Sequence, residues 1–331
     1  MLNIVVIGTG SIALSRHIPC VVESKNAHLY GVYNRTIEKA KKIAEEHQCK
    51  LYESLQEIYE DQHVDAVIIC TPPDSHCEIT VAALEHQKHV LVEKPMSETA
   101  EEAALMVETA QKTGYKLMIS HNQRLYRPHQ KAKELIERGE IGDILTYRTL
   151  LGNPTRPEPG IEPEWKNAIG DVGSHRIDLM RYILGEEITE VFGHLFNVFN
   201  PDEAMDDNGI VILKHTNNIT GTLITSRTSL GESDRMTIFY GTKGTITLYG
   251  ESSAVAVELG TKEKTVVNYP DLLPQSVVEV TDIVERFITA VMNDSELLVP
   301  AEDGYEVMLV LDAVRESSKT GRWVKVGERI F

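Results

Sequence analysis

Apolar positions in the first third of the chain switch repeatedly between two periods. Residues 3–7 form a short continuous apolar run, the pattern of a strand buried on both faces, and pass directly into Gly8. Residues 12–24 read as a helix that contains Pro19, and residues 29–33 as a second strand. A charged amphipathic helix over 36–47, a strand over 65–70 and a helix over 75–86 follow. Residues 89–92 and 116–120 read as further strands. Between them, Thr99 and Glu102 form a capping-box pattern that opens a helix of Ala, Glu and Met. Strands alternating with helices in this way imply βαβ units and a parallel sheet.

Past about residue 125 the pattern changes. A helix over 129–138 is stopped by Gly139, and a strand covers 144–151. The stretch 153–163 holds Pro154, Pro157, Pro159 and Pro163 and reads as an irregular loop. Residues 171–184 read as a helix ending at Gly185. Strand-like segments near 189–199, 209–216, 219–228, 235–240, 244–249 and 253–259 follow with no helix between them, which implies an antiparallel sheet. Helices near 278–292 and 303–317 close the chain. The expected division is a first domain over 1–122 and a second over 123–331, the last helix being free to pack back on the first.

The length of 331 residues agrees with two domains. A hydrophobic fraction of 42% and a charged fraction of 25% are those of an ordinary globular chain. The formal net charge of -17 argues against nucleic acid as the main partner, without bearing on a small local anion site. No apolar run approaches the ~20 residues of a membrane span, and residues 2–7 are too short for a signal segment. Cys20, Cys49, Cys70 and Cys77 contain no C-x-x-C pair and read as core thiols of a reducing compartment. A cytoplasmic location is the expectation.

The strongest local signal is Gly8-Thr9-Gly10-Ser11-Ile12-Ala13, which leaves a buried strand and opens a helix. Gly8 permits the tight turn, Gly10 lets a pyrophosphate approach the backbone, and Ala13 keeps the helix close to the strand. The helix N-terminus then offers amide donors to phosphates. The second strand ends at Asn34-Arg35-Thr36, with no carboxylate for a ribose 2′-hydroxyl. Arg35 suits a 2′-phosphate or the adenine face, so NAD and NADP both stay open with the balance tilted to NADP.

Thr71-Pro72-Pro73 and Glu93-Lys94-Pro95 each follow a strand, where open α/β sheets place ligands. Lys94 precedes a proline, which restricts its backbone, and a cis bond there is open. A lysine beside a carbonyl oxygen stabilises developing alkoxide charge. Asp171, His175 and Asp178 share one face if their segment is helical, an arrangement suited to a general base with an orienting carboxylate. Three such groups with no fourth argue against a metal site, and Asp171 as a helix N-cap stays open. Asn122, Arg124, Arg127, His129 and Trp165 are further substrate candidates, with packing or surface roles equally open.

These motifs, in this order, resemble those of the glucose–fructose oxidoreductase / inositol dehydrogenase (Gfo/Idh/MocA) family over almost the whole chain. The resemblance implies an α/β architecture: an N-terminal Rossmann domain and a C-terminal α+β domain built on a large, mostly antiparallel open sheet. Such sheets commonly pack against a partner subunit, so a homodimer or homotetramer is implied. The implied reaction is hydride transfer between NAD or NADP and a sugar, polyol or related hydroxy compound. By the resemblance, Lys94 belongs to the catalytic motif, His175 is the acid/base, and Asp171 positions substrate or tunes His175. Glu93 would contact the nicotinamide ribose, and Thr71, Pro72 and His76 would line the cofactor cleft. Substrate contacts would fall to Lys94, Asn122, Arg124, Trp165, Asp171 and His175. Asn34, where many members are acidic, and the lone Gly170 before Asp171 depart from the family pattern. Other readings are glycoside hydrolysis through transient oxidation, a non-catalytic sensor and a methyltransferase. The sensor reading is weakened by the presence of both Lys94 and His175. The methyltransferase reading has no role for either.

Overall fold

The structure is a computed structural model that describes residues 1–152, 167–198, 206–228, 235–249, 255–260, 265–269, 282–327 and 331. By compactness the chain divides into two units, Met1–Asn122 with Ser276–Met308, and Gln123–Gln275 with Leu309–Phe331.

The first unit is built on a parallel sheet of β1 (Leu2–Ile7), β2 (Ala27–Tyr33), β3 (Lys50–Leu51), β4 (Ala66–Ile69), β5 (His89–Val92) and β6 (Leu117–Ile119). Their order is β3-β2-β1-β4-β5-β6. The direction of winding reverses between β1 and β4, and the crevice at their carboxyl ends is where such sheets bind ligands. Ile4 to Ile7 and Ala66 to Ile69 are wholly buried, as their unbroken apolar runs imply. The helix Ala100–Thr113 starts on the expected cap: the Glu102 N–H donates to Thr99 Oγ1 at 3.2 Å. The returning Glu102 carboxylate accepts from the Glu98 N–H at 2.9 Å, one residue earlier than a closed capping box.

The helix expected over 12–24 is interrupted. Residues Ala13–His17 form a widened π turn, and α-helix resumes at Ile18–Glu23. Pro19 lies in the first turn of the resumed helix, so the widening falls where a proline ring would otherwise meet the carbonyl four residues back. The short strand β3 and the helix Leu55–Glu60 have no apolar run long enough to announce them, although Ser54 caps the helix by accepting the Glu57 N–H at 3.3 Å. The chain returns to this unit near its end. Ile119 donates its N–H to the Val299 carbonyl at 3.1 Å. A Cβ on Gly304 would stand 2.6 Å from Ile119, which is how closely that segment approaches the sheet.

The second unit holds a sheet of β7 (Ile144–Gly152), β8 (Ile188–Phe196), β9 (Asn208–His215), β10 (Thr220–Ser226), β11 (Met236–Gly241), β12 (Gly244–Tyr249), β13 (Val255–Leu259), β14 (Thr265–Tyr269) and β15 (Val324–Lys325). The order is β14-β13-β12-β11-β7-β10-β9-β8-β15, antiparallel except where β10 runs parallel to β7. One face carries Tyr147, Phe239 and Ile246 against Ala132 and Leu135 of the helix Arg127–Glu137 and Leu179 and Ile183 of the helix Ser174–Leu184. The other exposes Ile210, Ile224 and Tyr249. Strands β14 and β15 were not foreseen. The proline-rich loop and Trp165 lie outside the described residues.

The helix expected over 171–184 also begins in a π turn, Ile169–Gly173, before Ser174–Leu184, and ends at Gly185 with φ +66°. The expectation that Asp171, His175 and Asp178 present one open polar face is corrected. Asp178 is 1% exposed and belongs to the core of the unit, while Asp171 and His175 are half-buried. The widened turn changes the spacing between Asp171 and the helix, while Asp178, inside the regular helix, is drawn into the core by its pairing with Arg124.

Candidate functional site

In the first unit, the turn leaving β1 is shaped by Gly8. Its φ is +95°, and a Cβ there would meet the Cys70 carbonyl at 2.7 Å, so only glycine fits beside the end of β4. Gly10 is the opposite case: an added Cβ finds no heavy atom within 4 Å. Open space over that backbone, at the start of a helix whose first amides point outward, fits a dinucleotide pyrophosphate. Thr9 is buried and its Oγ1 accepts from Asn34 Nδ2 at 2.8 Å. The Asn34 side-chain oxygen, Oδ1, in turn accepts the Thr36 N–H at 2.9 Å. Asn34 thus fastens the glycine loop to the end of β2, and the neighbouring Arg35 is exposed.

Two further loops leave the same sheet end. After β4, Thr71, Pro72 and Ser75 form a short turn into the helix His76–Glu85. His76 is fully buried, with Nε2 2.7 Å from the Thr71 carbonyl oxygen and Nδ1 3.0 Å from that of Pro95. Burial lowers its pKa, and the two carbonyl oxygens work against that shift. After β5 comes Glu93-Lys94-Pro95, whose Lys94–Pro95 bond is cis. Glu93 is buried, and its Oε1 lies 2.6 Å from His17 Nε2 while its Oε2 accepts the Lys94 N–H at 3.2 Å. Burial pushes the Glu93 carboxyl up. The hydrogen bond and charge of His17, with Lys94 and Ser120, outweigh it and hold the pKa at about 2. The expected ribose contact of Glu93 therefore has a competitor, because both its oxygens are engaged by the protein. Lys94 is half-buried and Asn122 is 6% exposed.

In the second unit, Asp171 sits in the π turn and pairs with Arg227 at the end of β10. Burial, followed by the charge of Arg235, lowers the Arg227 pKa to about 10. The turn itself is held by Asp206, whose carboxylate accepts the Ile169 N–H at 2.8 Å. Burial raises the pKa of Asp206, against that hydrogen bond. Arg124 grips Asp178 at two points, 3.0 and 2.5 Å, and both are buried. His129 is 1% exposed, stacks on Tyr126 and has its pKa held at about 3, first by burial and then by the charge of Arg176. Arg127 is exposed.

The structure thus gathers Gly8–Ala13, Asn34, Thr71, His76, Glu93 and Lys94 at one end of the first sheet, and Asp171 and His175 on one segment of the second unit. Sequence reasoning missed His17, Asp206 and Arg227. The sign of His17 was present: it lies four residues after Ala13, on the face of the first helix that the close packing at Ala13 requires to be buried. Among the described residues no group of three His, Cys, Asp or Glu side chains is spaced to hold a metal.

Comparison with known proteins adds the following. Residues 2–121 match the family model described as an oxidoreductase family with an NAD-binding Rossmann fold, and residues 129–247 match the GFO/IDH/MocA C-terminal domain. The chain is 28% identical to myo-inositol 2-dehydrogenase of Thermotoga maritima, over 99% of this chain and 100% of that one. An oxidoreductase domain protein from Kribbella flavida superposes with a TM-score of 0.90 at 24% identity, over 99% of each chain. Levoglucosan dehydrogenase in complex with NADH and L-sorbose superposes at 0.88, also at 24% identity and over 99% of each chain. At that identity the two superpositions speak for the fold.

Proposed function

The chain belongs to the GFO/IDH/MocA oxidoreductase family, and we propose that it transfers hydride reversibly between a nicotinamide dinucleotide and a hydroxyl-bearing carbon of a sugar, polyol or related hydroxy compound. The observation that carries this reading is the placement of Lys94, directly after a buried ionised glutamate, at the same sheet end as the Gly8–Ala13 turn. When bound, the dinucleotide supplies the hydride acceptor or donor. All other roles fall to side chains of this protein.

Lys94 donates a hydrogen bond to the reacting oxygen and stabilises the negative charge that develops as its proton leaves. His175 takes that proton during oxidation and returns it during reduction, the general acid/base role that an imidazole fills most often. Asp171, tied to Arg227, positions His175 or substrate. Gly8–Ala13, Asn34, Arg35, Thr71 and Pro72 hold the dinucleotide. His76 and Glu93 keep those segments in place through contacts already made inside the protein. Asn122 and Trp165 complete the proposed substrate contacts, whereas Arg124 is engaged in fixing the buried Asp178 and serves the fold of its unit. The absence of a carboxylate at Asn34-Arg35 supports a preference for NADP.

The named relatives point to inositols and anhydrosugars as first substrates to try. The exposed Ile210, Ile224 and Tyr249 on the open face of the second sheet support a homodimer or homotetramer joined through it. Cys20, Cys49, Cys70 and Cys77 are all thiols rather than disulfides, which suits a cytoplasmic setting.

The test offers NAD⁺ and NADP⁺ in turn with myo-inositol, scyllo-inositol, levoglucosan and a set of aldoses, and follows the absorbance of the reduced nicotinamide. Substrate-dependent reduction is expected with at least one pair. Cleavage of a glycoside without net reduction would overturn the reading, as would failure of both dinucleotides to raise the melting temperature.

A further inference from the structure

His17 lies in the π turn of the helix that opens at the glycine loop and is 1% exposed. A carboxylate only accepts hydrogen bonds, so the proton between His17 Nε2 and Glu93 Oε1, 2.6 Å apart, belongs to His17. The other carboxylate oxygen accepts the backbone N–H of Lys94. Glu93 is therefore a node between the helix of the dinucleotide turn and the residue that carries the proposed chemistry. The Ser120 N–H fastens the same region to the Val92 carbonyl at 2.9 Å. A small cavity beside the pair is lined by Arg16, His17, Glu93, Ser120, Asn122 and Ile283. A buried carboxylate that lost the His17 donor, and was left with Ser120 and the Lys94 N–H, would take up a proton or turn toward that cavity, and in either case its hold on the Lys94 N–H would weaken. Next in the chain after Lys94, the Pro95 carbonyl oxygen faces His76, as does that of Thr71.

We propose that His17 is a positioning residue for Lys94, acting through the Glu93 carboxylate, so that the dinucleotide-binding helix and the Lys94 turn are set as one body. The inference rests on the reading of Lys94 given above. Lys94 contributes only if its ammonium is held within hydrogen-bonding reach of the reacting oxygen, and a misplacement of about 1 Å costs on the order of 100-fold in rate.

The test is a double-mutant cycle on the full-length protein, with the substrate and dinucleotide found by the screen. His17→Leu removes the donor, while His17→Gln keeps an amide N–H at nearly the reach of Nε2. His17→Leu is expected to lower kcat by about 10–100-fold, and to leave the dinucleotide Kd within about three-fold. His17→Gln restores most of the rate. In a Lys94→Ala background His17→Leu costs no more than about two-fold, because the group it positions is gone. An unchanged kcat in His17→Leu overturns the inference, and so does the same fold-loss with and without Lys94. If His17→Leu does not fold, His17→Asn against His17→Gln carries the comparison, since the shorter amide falls short of Glu93; equal rates overturn it. An unimpaired Lys94→Ala single variant removes the reading of Lys94 and this inference together. An impaired Lys94→Ala with additive losses removes the inference alone.

Discussion

Replacing Gly8 by alanine puts a methyl group where the chain has room for none. At φ +95° an L-residue is strained, at roughly 1–2 kcal/mol. The new Cβ stands 2.7 Å from the Cys70 carbonyl, about 0.7 Å inside the 3.4 Å at which ordinary contact begins. Its neighbour is backbone at the end of β4, which yields only by shifting the strand, and overpacking of this kind costs about 1–3 kcal/mol. The sum of about 2–5 kcal/mol lowers the melting temperature by on the order of 5–15 °C. Gly10→Ala is the control. Its Cβ meets nothing within 4 Å, so the protein without cofactor keeps its stability or gains a few tenths of a kcal/mol. Where a pyrophosphate approaches that backbone, the same methyl blocks it, and dinucleotide affinity falls by about 10-fold or more. Melting curves with and without saturating dinucleotide, and a fluorescence titration, separate the two effects. A Gly8→Ala protein as stable as wild type refutes the steric argument. A Gly10→Ala protein that binds dinucleotide normally refutes the placement of the phosphates.

Three other outcomes are expected. Asp178→Ala leaves the buried Arg124 without its two-point acceptor and destabilises the protein by about 3–5 kcal/mol in urea denaturation; a loss under about 1 kcal/mol refutes the pairing. The Glu93 carboxyl is held below its unfolded value of ~4.3, so its stabilising contribution is present above that pH and lost as pH falls toward about 2. Urea midpoints between neutral and acid pH should accordingly fall more steeply in wild type than in Glu93→Gln, and parallel curves count against the pair with His17. Arg35→Ala should weaken NADP binding by about 10–100-fold and NAD binding little, and equal loss for both removes the argument for NADP.

The parallel sheet was legible because β1, β4 and β5 are buried on both faces and their apolar runs carry no competing signal. Gly8 and the strand-end position of Lys94 were legible because a glycine turn after an apolar run, and the end of such a run, are read locally. The polar pairing was not. Asp178 reads as an open helix residue until Arg124, 54 positions away, is folded against it. His17 and Glu93 are separated by 76 residues, and a one-dimensional pattern records no partner at that range. The two π turns were hidden for a related reason, since periodicity assumes a constant pitch that Pro19 and the Gly170–Gly173 stretch do not keep.

The central claim, that hydride passes between a substrate carbon and the nicotinamide, is tested most directly by isotope transfer. The substrate found in the screen, deuterated at its carbons, is oxidised in ordinary water, and the reduced dinucleotide is weighed by mass spectrometry. One deuterium per nicotinamide, with the same transfer slowed by about 10²–10⁴-fold in Lys94→Ala and His175→Ala, is the predicted result. A reduced dinucleotide without deuterium, or transfer undiminished in both variants, contradicts the account.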